Sequence, residues 1–266
     1  MLTVGELFAG IGGIGLGLER TGNFEVKWQV EKDDYASKVL AKNWPDVRRH
    51  DDVCTFPEPK SNDWQVDVIA GGFPCQDISI AGKGKGLKGE RSGLLYEVVR
   101  IAEILRPKYL LLENVAMLLR RGMSEVLAEL ATLGYNAEWH CLPAASVGAP
   151  HRRDRLFIIA YPDNYGRNWD REDEQECQRQ AMERGELFGG DGSDGYMAKL
   201  HNKLRDFRND TGRKQWGTEP TIQRVVNGVP NRMDRIKCLG NSVCPQVAQV
   251  IGDILYGIHE EGTANG

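Results

Sequence analysis

The segment GGFPCQDIS, residues 71–79, sets Cys75 just past the apolar run Val66-Asp67-Val68-Ile69-Ala70. A structural cysteine usually packs inside such a run as a small hydrophobe, whereas this one stands beyond its end among Pro, Gln and Asp, which suggests access. An accessible thiol adds covalently to an electrophile when it carries thiolate character and an acid nearby complements the addition. Glu113 follows Leu110-Leu111-Leu112, and partial burial there would raise its pKa; a strand-end carboxylate in an ion pair is the plainer reading of it. Two basic groups add a second kind of chemistry. Lys83, Lys85, Lys88 and Arg91 lie in the glycine-rich loop QDISIAGKGKGLKGERSG, and Arg152, Arg153 and Arg155 crowd another segment. Local patches of this kind can hold a phosphate backbone even where the formal net charge is −4. Either patch alone reads equally well as a solvated loop.

A third constellation is ELFAGIGGIGLGLER, residues 6–20, in which an apolar run passes through Gly10-Ile11-Gly12-Gly13 into a helical stretch. Glycines at a strand-to-helix turn let the backbone approach a ligand and leave helix amides free to bind it. Glu31 ends the next apolar run about twenty residues on, where an acid accepts hydrogen bonds from ribose hydroxyls. Asp52 in RRHDDVCTF is placed to meet an adenine amino group, or to sit in a surface turn. The glycine turn alone leaves the cofactor open, because nicotinamide and flavin folds use a related one.

Elements must hold these groups together. Over the first 160 residues, apolar runs of strand length alternate with helical periodicity, the pattern of an α/β domain on a mostly parallel sheet. Strands are expected near Leu2–Phe8, Glu25–Val30, Val66–Ala70, Tyr109–Leu112, Ala137–Leu142 and Leu156–Ala160. Helices are expected near Gly13–Arg20, Tyr35–Asn43, Leu94–Leu105 and Ser124–Leu133. The pattern stops at 161–215, a polar stretch expected to be small or partly ordered, with order resuming near Trp216. From Tyr161 to Leu200 ten acidic side chains face five basic ones. Val243–Ile258 has helical spacing, with Pro245 tolerable only in its first turn.

The 266 residues suffice for one large domain, or one with a small partner. Six cysteines without paired short spacing signal neither a zinc ribbon nor a disulfide framework, so no metal is expected and a reducing cytoplasm fits. The start MLTVGELFAG lacks the features of a signal peptide, and the apolar run at 109–119 is broken by Glu113 and Asn114. A soluble, unexported chain without a membrane partner is the expectation.

Taken in order, Phe8-Ala9-Gly10-x-Gly12-Gly13, Pro74-Cys75-Gln76, Glu113-Asn114-Val115, Arg153-x-Arg155 and Gly240-Asn241-Ser242 resemble the motifs of cytosine-5 DNA methyltransferases of bacterial or phage type. The likeness covers about 1–160 and 220–258. It implies a Rossmann-like methyltransferase fold binding S-adenosylmethionine through Phe8, Ala9, Gly10, Gly12, Gly13, Glu31, Asp52, Pro74, Asn241 and Ser242. It implies that Cys75 adds to carbon 6 of cytosine, that Glu113 donates to ring nitrogen 3, that Arg155 holds the base's carbonyl oxygen and that Arg153 helps fix the catalytic loop and the nucleophile. The family usually has glutamine two residues before the first of these arginines; this chain has His151.

The same resemblance implies extrusion of the target cytosine from duplex DNA, because the reacting carbon is shielded in the stack. Ser79, Lys83, Lys85 and Arg91 are the expected DNA contacts of the active-site loop. Arg205, Arg208, Arg213, Arg224 and Arg232 are those of the later basic cluster, which also contains Lys203 and Lys214. The expected layout is a catalytic and cofactor-binding large domain at 1–160, a small target-recognition region at 161–223, and a return segment at 224–266 whose helix packs on the large domain. A monomer in the cytoplasm of a bacterial or phage-infected cell, with a cognate restriction endonuclease as a candidate partner, completes the picture. Alternatives are methylation of a transfer RNA, whose branch carries a Cys-Phe-Thr tripeptide absent here, a nonenzymatic DNA-binding protein, and a nicotinamide oxidoreductase in which Cys75 has no required partner.

Overall fold

The computed structural model describes residues 1–57, 62–74, 93–162, 203–204 and 232–264. Seven strands form one sheet: β1 (Leu2–Leu7), β2 (Phe24–Val30), β3 (Arg48–His50), β4 (Val68–Gly72), β5 (Tyr109–Val115), β6 (Tyr135–Pro143) and β7 (Asp154–Pro162), in the order β3-β2-β1-β4-β5-β7-β6. The β1 to β5 neighbours pair in parallel, and β7 runs antiparallel between β5 and β6. Helices α1 (Gly13–Glu19), α2 (Asp34–Asn43), α3 (Gly93–Leu105), α4 (Leu118–Arg121) and α5 (Met123–Thr132) connect the strands, and α6 (Arg232–Asn241) and α7 (Pro245–Ala264) follow.

Apolar residues decide the layering. Strand β5, YLLLENV, is buried at every position up to Asn114, as a parallel strand covered on both faces must be. One face carries Trp28, Ile69, Leu110 and Leu112 against Val98, Ile101, Val126 and Leu130 of α3 and α5. The other carries Val4, Val26, Val68 and Leu111 against Leu18 of α1 and Val247, Ile251 and Leu255 of α7. Helix α7 comes close to α1 because α1 offers glycine there. A side chain on Gly17 would overlap the carbonyl oxygen of Pro245 and the methyl of Ala248.

The expected order of strands and helices holds through residue 162, with shifted ends. Strand β4 begins at Val68 rather than Val66, because Asp67 accepts from the Thr3 backbone amide at 2.8 Å and hydroxyl at 2.7 Å and so ends the preceding loop. It continues through Gly71 and Gly72, which carries the chain two residues closer to Cys75. The last helix starts at Pro245, the position that a missing amide tolerates, and extends to Ala264. Among the described strands and α-helices, three have no counterpart among the expected ones: β3, α4 and α6. The expected resumption of order near Trp216 and nearly all of 161–215 lie outside the described residues.

Candidate active site

The glycine turn leaves β1 with Phe8 at φ 51°, Gly10 at φ 58° and Gly12 at φ 81°. Gly12 must be glycine twice over, since a side chain there would need left-handed backbone and would strike the Trp44 ring. The Ala9 amide donates to the Val30 carbonyl at 3.1 Å, which ties the turn to the end of β2. Glu31 holds the other side: one carboxylate oxygen accepts from the Gly10 amide at 2.7 Å, the other from the Asp33 amide at 2.8 Å. Each oxygen keeps a lone-pair direction for a ribose hydroxyl. Gly10 itself faces open space, and Phe8, Ala9 and Glu31 are half-buried. This is the crevice at the carboxyl ends of parallel strands where the strand order reverses, between β1 and β4, and the residues present fit a nucleoside-containing cofactor.

Asp52 lies one strand further out. One of its oxygens accepts from the Cys54 amide at 3.0 Å, and the other pairs with Lys32 at 3.0 Å. These contacts hold its carboxyl below the usual range. From the opposite side, Ser242 meets the turn: a β-carbon on Gly13 would lie 2.5 Å from the Ser242 hydroxyl. Asn241 ends α6 and is exposed. Pro74 is half-buried just past the end of β4.

The second half of the site lies at the ends of β5 and β7. Glu113 stands opposite Gly72 of β4 on one side and Phe157 of β7 on the other. Its Oε1 lies 2.8 Å from Arg155 Nε, an ion pair whose N–H does not point squarely at the oxygen. Burial pushes the Glu113 carboxyl up to about 7, and the charges of Arg155 and Arg153 only partly oppose it. A carboxyl raised this far keeps its proton into the neutral range, which suits a donor. Arg155 also donates to the Asp154 carbonyl at 2.9 Å.

Arg153 adopts left-handed backbone, φ 41°, and turns its guanidinium to the end of α6, donating to the carbonyls of Gly240, at 2.8 Å, and Ser242. Among the described residues its hydrogen bonds go to the last motif. The loop that the resemblance assigned to it, with Cys75, Ser79, Lys83, Lys85 and Arg91, lies outside the described residues. So do Arg205, Arg208, Arg213 and Arg224; Arg232 is described only as the first residue of α6.

Two buried residues at the site, Asn114 and Glu6, make contacts that the motifs containing them did not assign. Asn114 donates from Nδ2 to the Phe73 carbonyl at 3.1 Å and accepts from the Val115 amide at 2.8 Å, so it pins the chain immediately before Pro74 and Cys75. Glu6, inside the apolar strand β1, accepts from the Gly15 amide at 2.7 Å and from Gln29 Nε2 at 2.8 Å. Burial pushes its carboxyl up to about 7. An acid within an otherwise apolar strand was the available signal, because a buried carboxylate needs donors.

Sheet order, glycine turn and crevice define a Rossmann-like α/β fold of the S-adenosylmethionine-dependent methyltransferase kind. The profile of C-5 cytosine-specific DNA methylases matches residues 2–227, and the chain belongs to that family. It is 36% identical over 178 residues to the type II methyltransferase M.Sau3AI of Staphylococcus aureus, covering 60% of this chain and 43% of that one. It is 38% identical over 201 residues to M.Eco47II of Escherichia coli, covering 71% and 48%. The chain thus spans about half the length of these relatives. Among solved structures, a putative DNA modification methyltransferase encoded within an E. coli prophage superposes with TM-score 0.62 at 20% identity, over 98% of this chain and 100% of that one. The Entamoeba histolytica methyltransferase EhMeth gives 0.64 at 16% identity, over 97% and 98%. Among the described residues no helix is long and apolar enough to cross a membrane, and no cluster of His, Cys, Asp and Glu could hold a metal ion.

Proposed function

We propose that the chain transfers a methyl group from S-adenosylmethionine to carbon 5 of a cytosine flipped out of double-stranded DNA, through a covalent adduct with Cys75. The observation that carries this reading is the buried Glu113, its carboxyl raised by burial, against Arg155, one strand away from the end of β4 that leads into Pro74-Cys75. S-adenosylmethionine supplies an electrophilic methyl group, and carbon 5 of cytosine is too weak a nucleophile to take it unaided. The chain's own residues correct that. The Cys75 thiolate forms a bond to carbon 6 while the Glu113 proton goes to ring nitrogen 3, which leaves an enamine-like ring whose electron density is concentrated on carbon 5. Arg155 keeps the carboxyl group in place and offers a fixed planar donor face to the base's carbonyl oxygen. After transfer a water takes the proton from carbon 5, the electrons of that bond re-form the C5–C6 double bond as the carbon–sulfur bond breaks and releases the Cys75 thiolate, and the proton on nitrogen 3 returns to Glu113.

Cofactor binding falls to Phe8, Ala9, Gly10, Gly12, Gly13, Glu31, Asp52, Pro74, Asn241 and Ser242. Glu31 is the ribose acceptor, and the half-buried, open face at Gly10 supports that assignment. The proposed layout keeps 1–160 as the large domain, 161–223 as the target-recognition region and 224–266 as the return segment. The seating of α7 on α1 supports that return. Sequence choice is assigned to the 161–223 region. Incubation with labelled S-adenosylmethionine and DNA, RNA or no nucleic acid should label DNA alone, and bisulfite sequencing of a plasmid carried with the protein should show protected cytosines at one sequence. Label in RNA and none in DNA would move the substrate to the transfer RNA reading.

A further inference from the structure

Helix α6 is held at its middle and at its C-terminal end by contacts from opposite sides of the cofactor crevice. On the β2 side, Lys237 Nζ lies 2.5 Å from Asp33 Oδ2. Asp33 also caps α2, with its other oxygen accepting from the Tyr35 and Ala36 amides at 3.1 and 3.0 Å. The hydrogen bond from Lys237 and the capping amides hold its carboxyl below the usual range. On the β7 side, Arg153 bonds the Gly240 and Ser242 carbonyls. The sheet order places β1, β4 and β5 between β2 and β7. At a strand spacing of about 4.8 Å, those four intervals span about 19 Å. The backbone from Lys237 to Ser242 rises only about 7 Å at helical pitch. The reach of one lysine and one arginine side chain makes up the rest.

The contacts close into a ring. Gly10 is bonded to Glu31, Glu31 to the Asp33 amide, Asp33 to Lys237, the end of α6 to Arg153, and Ser242 rests on Gly13. Of the residues assigned to the methyl donor, Gly10, Gly13, Glu31 and Ser242 belong to that ring. We infer that Lys237 and Arg153 are positioning residues that strap α6 across the methyl-donor crevice, so that the donor and its demethylated product leave when the Asp33–Lys237 contact opens. The inference rests on the proposed use of S-adenosylmethionine. It gives Arg153 a role toward the donor and assigns function to Lys237, which lies outside the motifs.

The test is the dissociation rate of S-adenosylhomocysteine from the full chain, followed by competition in rapid mixing, for the wild type, Lys237→Met, Lys237→Arg, Asp33→Asn and Lys237→Met/Asp33→Asn. Asp33→Asn keeps the cap on α2 and removes the charge. The contact is solvent-accessible, so Lys237→Met and Asp33→Asn should each speed release about two- to five-fold at low salt. The double variant should add little beyond either single one. Lys237→Arg should restore the wild-type rate, and molar salt should erase the differences. In turnover the change should fall on KM for the donor rather than on kcat. Equal dissociation rates in wild type and Lys237→Met, or fully additive single effects, would overturn the strap while leaving the cofactor reading in place. A wild type that binds no S-adenosylhomocysteine would overturn both.

Discussion

Replacing Glu113 by Gln should make the protein more stable in alkaline solution while it loses activity. The folded chain raises this carboxyl from an ordinary 4.5 to about 7, chiefly by burial, so folding takes a charge away from water that neighbouring Arg155 and Arg153 compensate only in part. The sign follows from proton linkage. Below about pH 4.5 the carboxyl is neutral in both folded and unfolded chains and adds no destabilisation. Between 4.5 and 7 the unfolded chain ionises first, and the deficit grows with pH. Above 7 both forms are ionised, and the folded state carries the full difference. That difference is about 3 kcal/mol.

Gln mimics the protonated acid in size and neutrality, so the variant should escape this penalty. For a chain of this length the gain corresponds to a rise in Tm of roughly 5–10 °C at pH 9. Thermal unfolding of wild type and Glu113→Gln at intervals from pH 4.5 to 9 checks it. The two curves should coincide near pH 4.5, separate up to pH 7 and run parallel above. The buried Glu6 contributes its own pH dependence to both proteins and cancels in the comparison. A variant no more stable than wild type at pH 9, or a gap independent of pH, would refute the burial argument. Turnover should fall severely in the same variant with DNA affinity much less affected, because an amide supplies no proton to ring nitrogen 3.

Three further perturbations address other parts of the account. Asn114→Leu keeps the bulk but strands the Phe73 carbonyl and Val115 amide; it should cost about 1–3 kcal/mol in urea unfolding and slow single turnover at least ten-fold with S-adenosylhomocysteine affinity kept, and undiminished turnover would remove its role in seating Cys75. Gly17→Val forces a side chain into the Pro245 carbonyl and should cost about 1–3 kcal/mol by denaturant titration; wild-type stability would contradict the close contact of α1 and α7. Neutralising Arg205, Arg208, Arg213 and Lys214 together should weaken DNA binding and flatten its dependence on salt; an unchanged salt series would take the DNA face away from this cluster.

The core strands were legible because β1, β4 and β5 are short apolar runs bounded by turn residues, whose burial on both faces leaves few polar positions to blur them, while β2, FEVKWQV, shows the alternation of a strand with Glu25 and Lys27 exposed. Strand β3 was not, since Arg48-Arg49-His50 is a charged edge strand that pairs only through its backbone with β2. Helix α6 was missed for a related reason: Met233, Ile236 and Leu239 are exposed, so no apolar stripe faces a core. At the site, the raised pKa of Glu113 followed from the leucines that precede it. The bonds from Arg153 to Gly240 and Ser242 join residues more than eighty apart in sequence, and no local pattern encodes such a contact. The same holds for Glu31, whose hold on the Gly10 amide depends on the left-handed glycine turn.

The central claim is a bond between one sulfur atom and the target pyrimidine, and mass spectrometry can find it directly. Duplex DNA bearing 5-fluorocytosine at the target, incubated with the protein and S-adenosylmethionine, should trap an adduct, because fluorine replaces the proton that must leave carbon 5. Digestion should place the modified nucleotide on the peptide containing Cys75, and Cys75→Ser should yield none while still binding S-adenosylhomocysteine. A crosslink on another residue, or no adduct from a preparation that methylates ordinary DNA, would contradict the account.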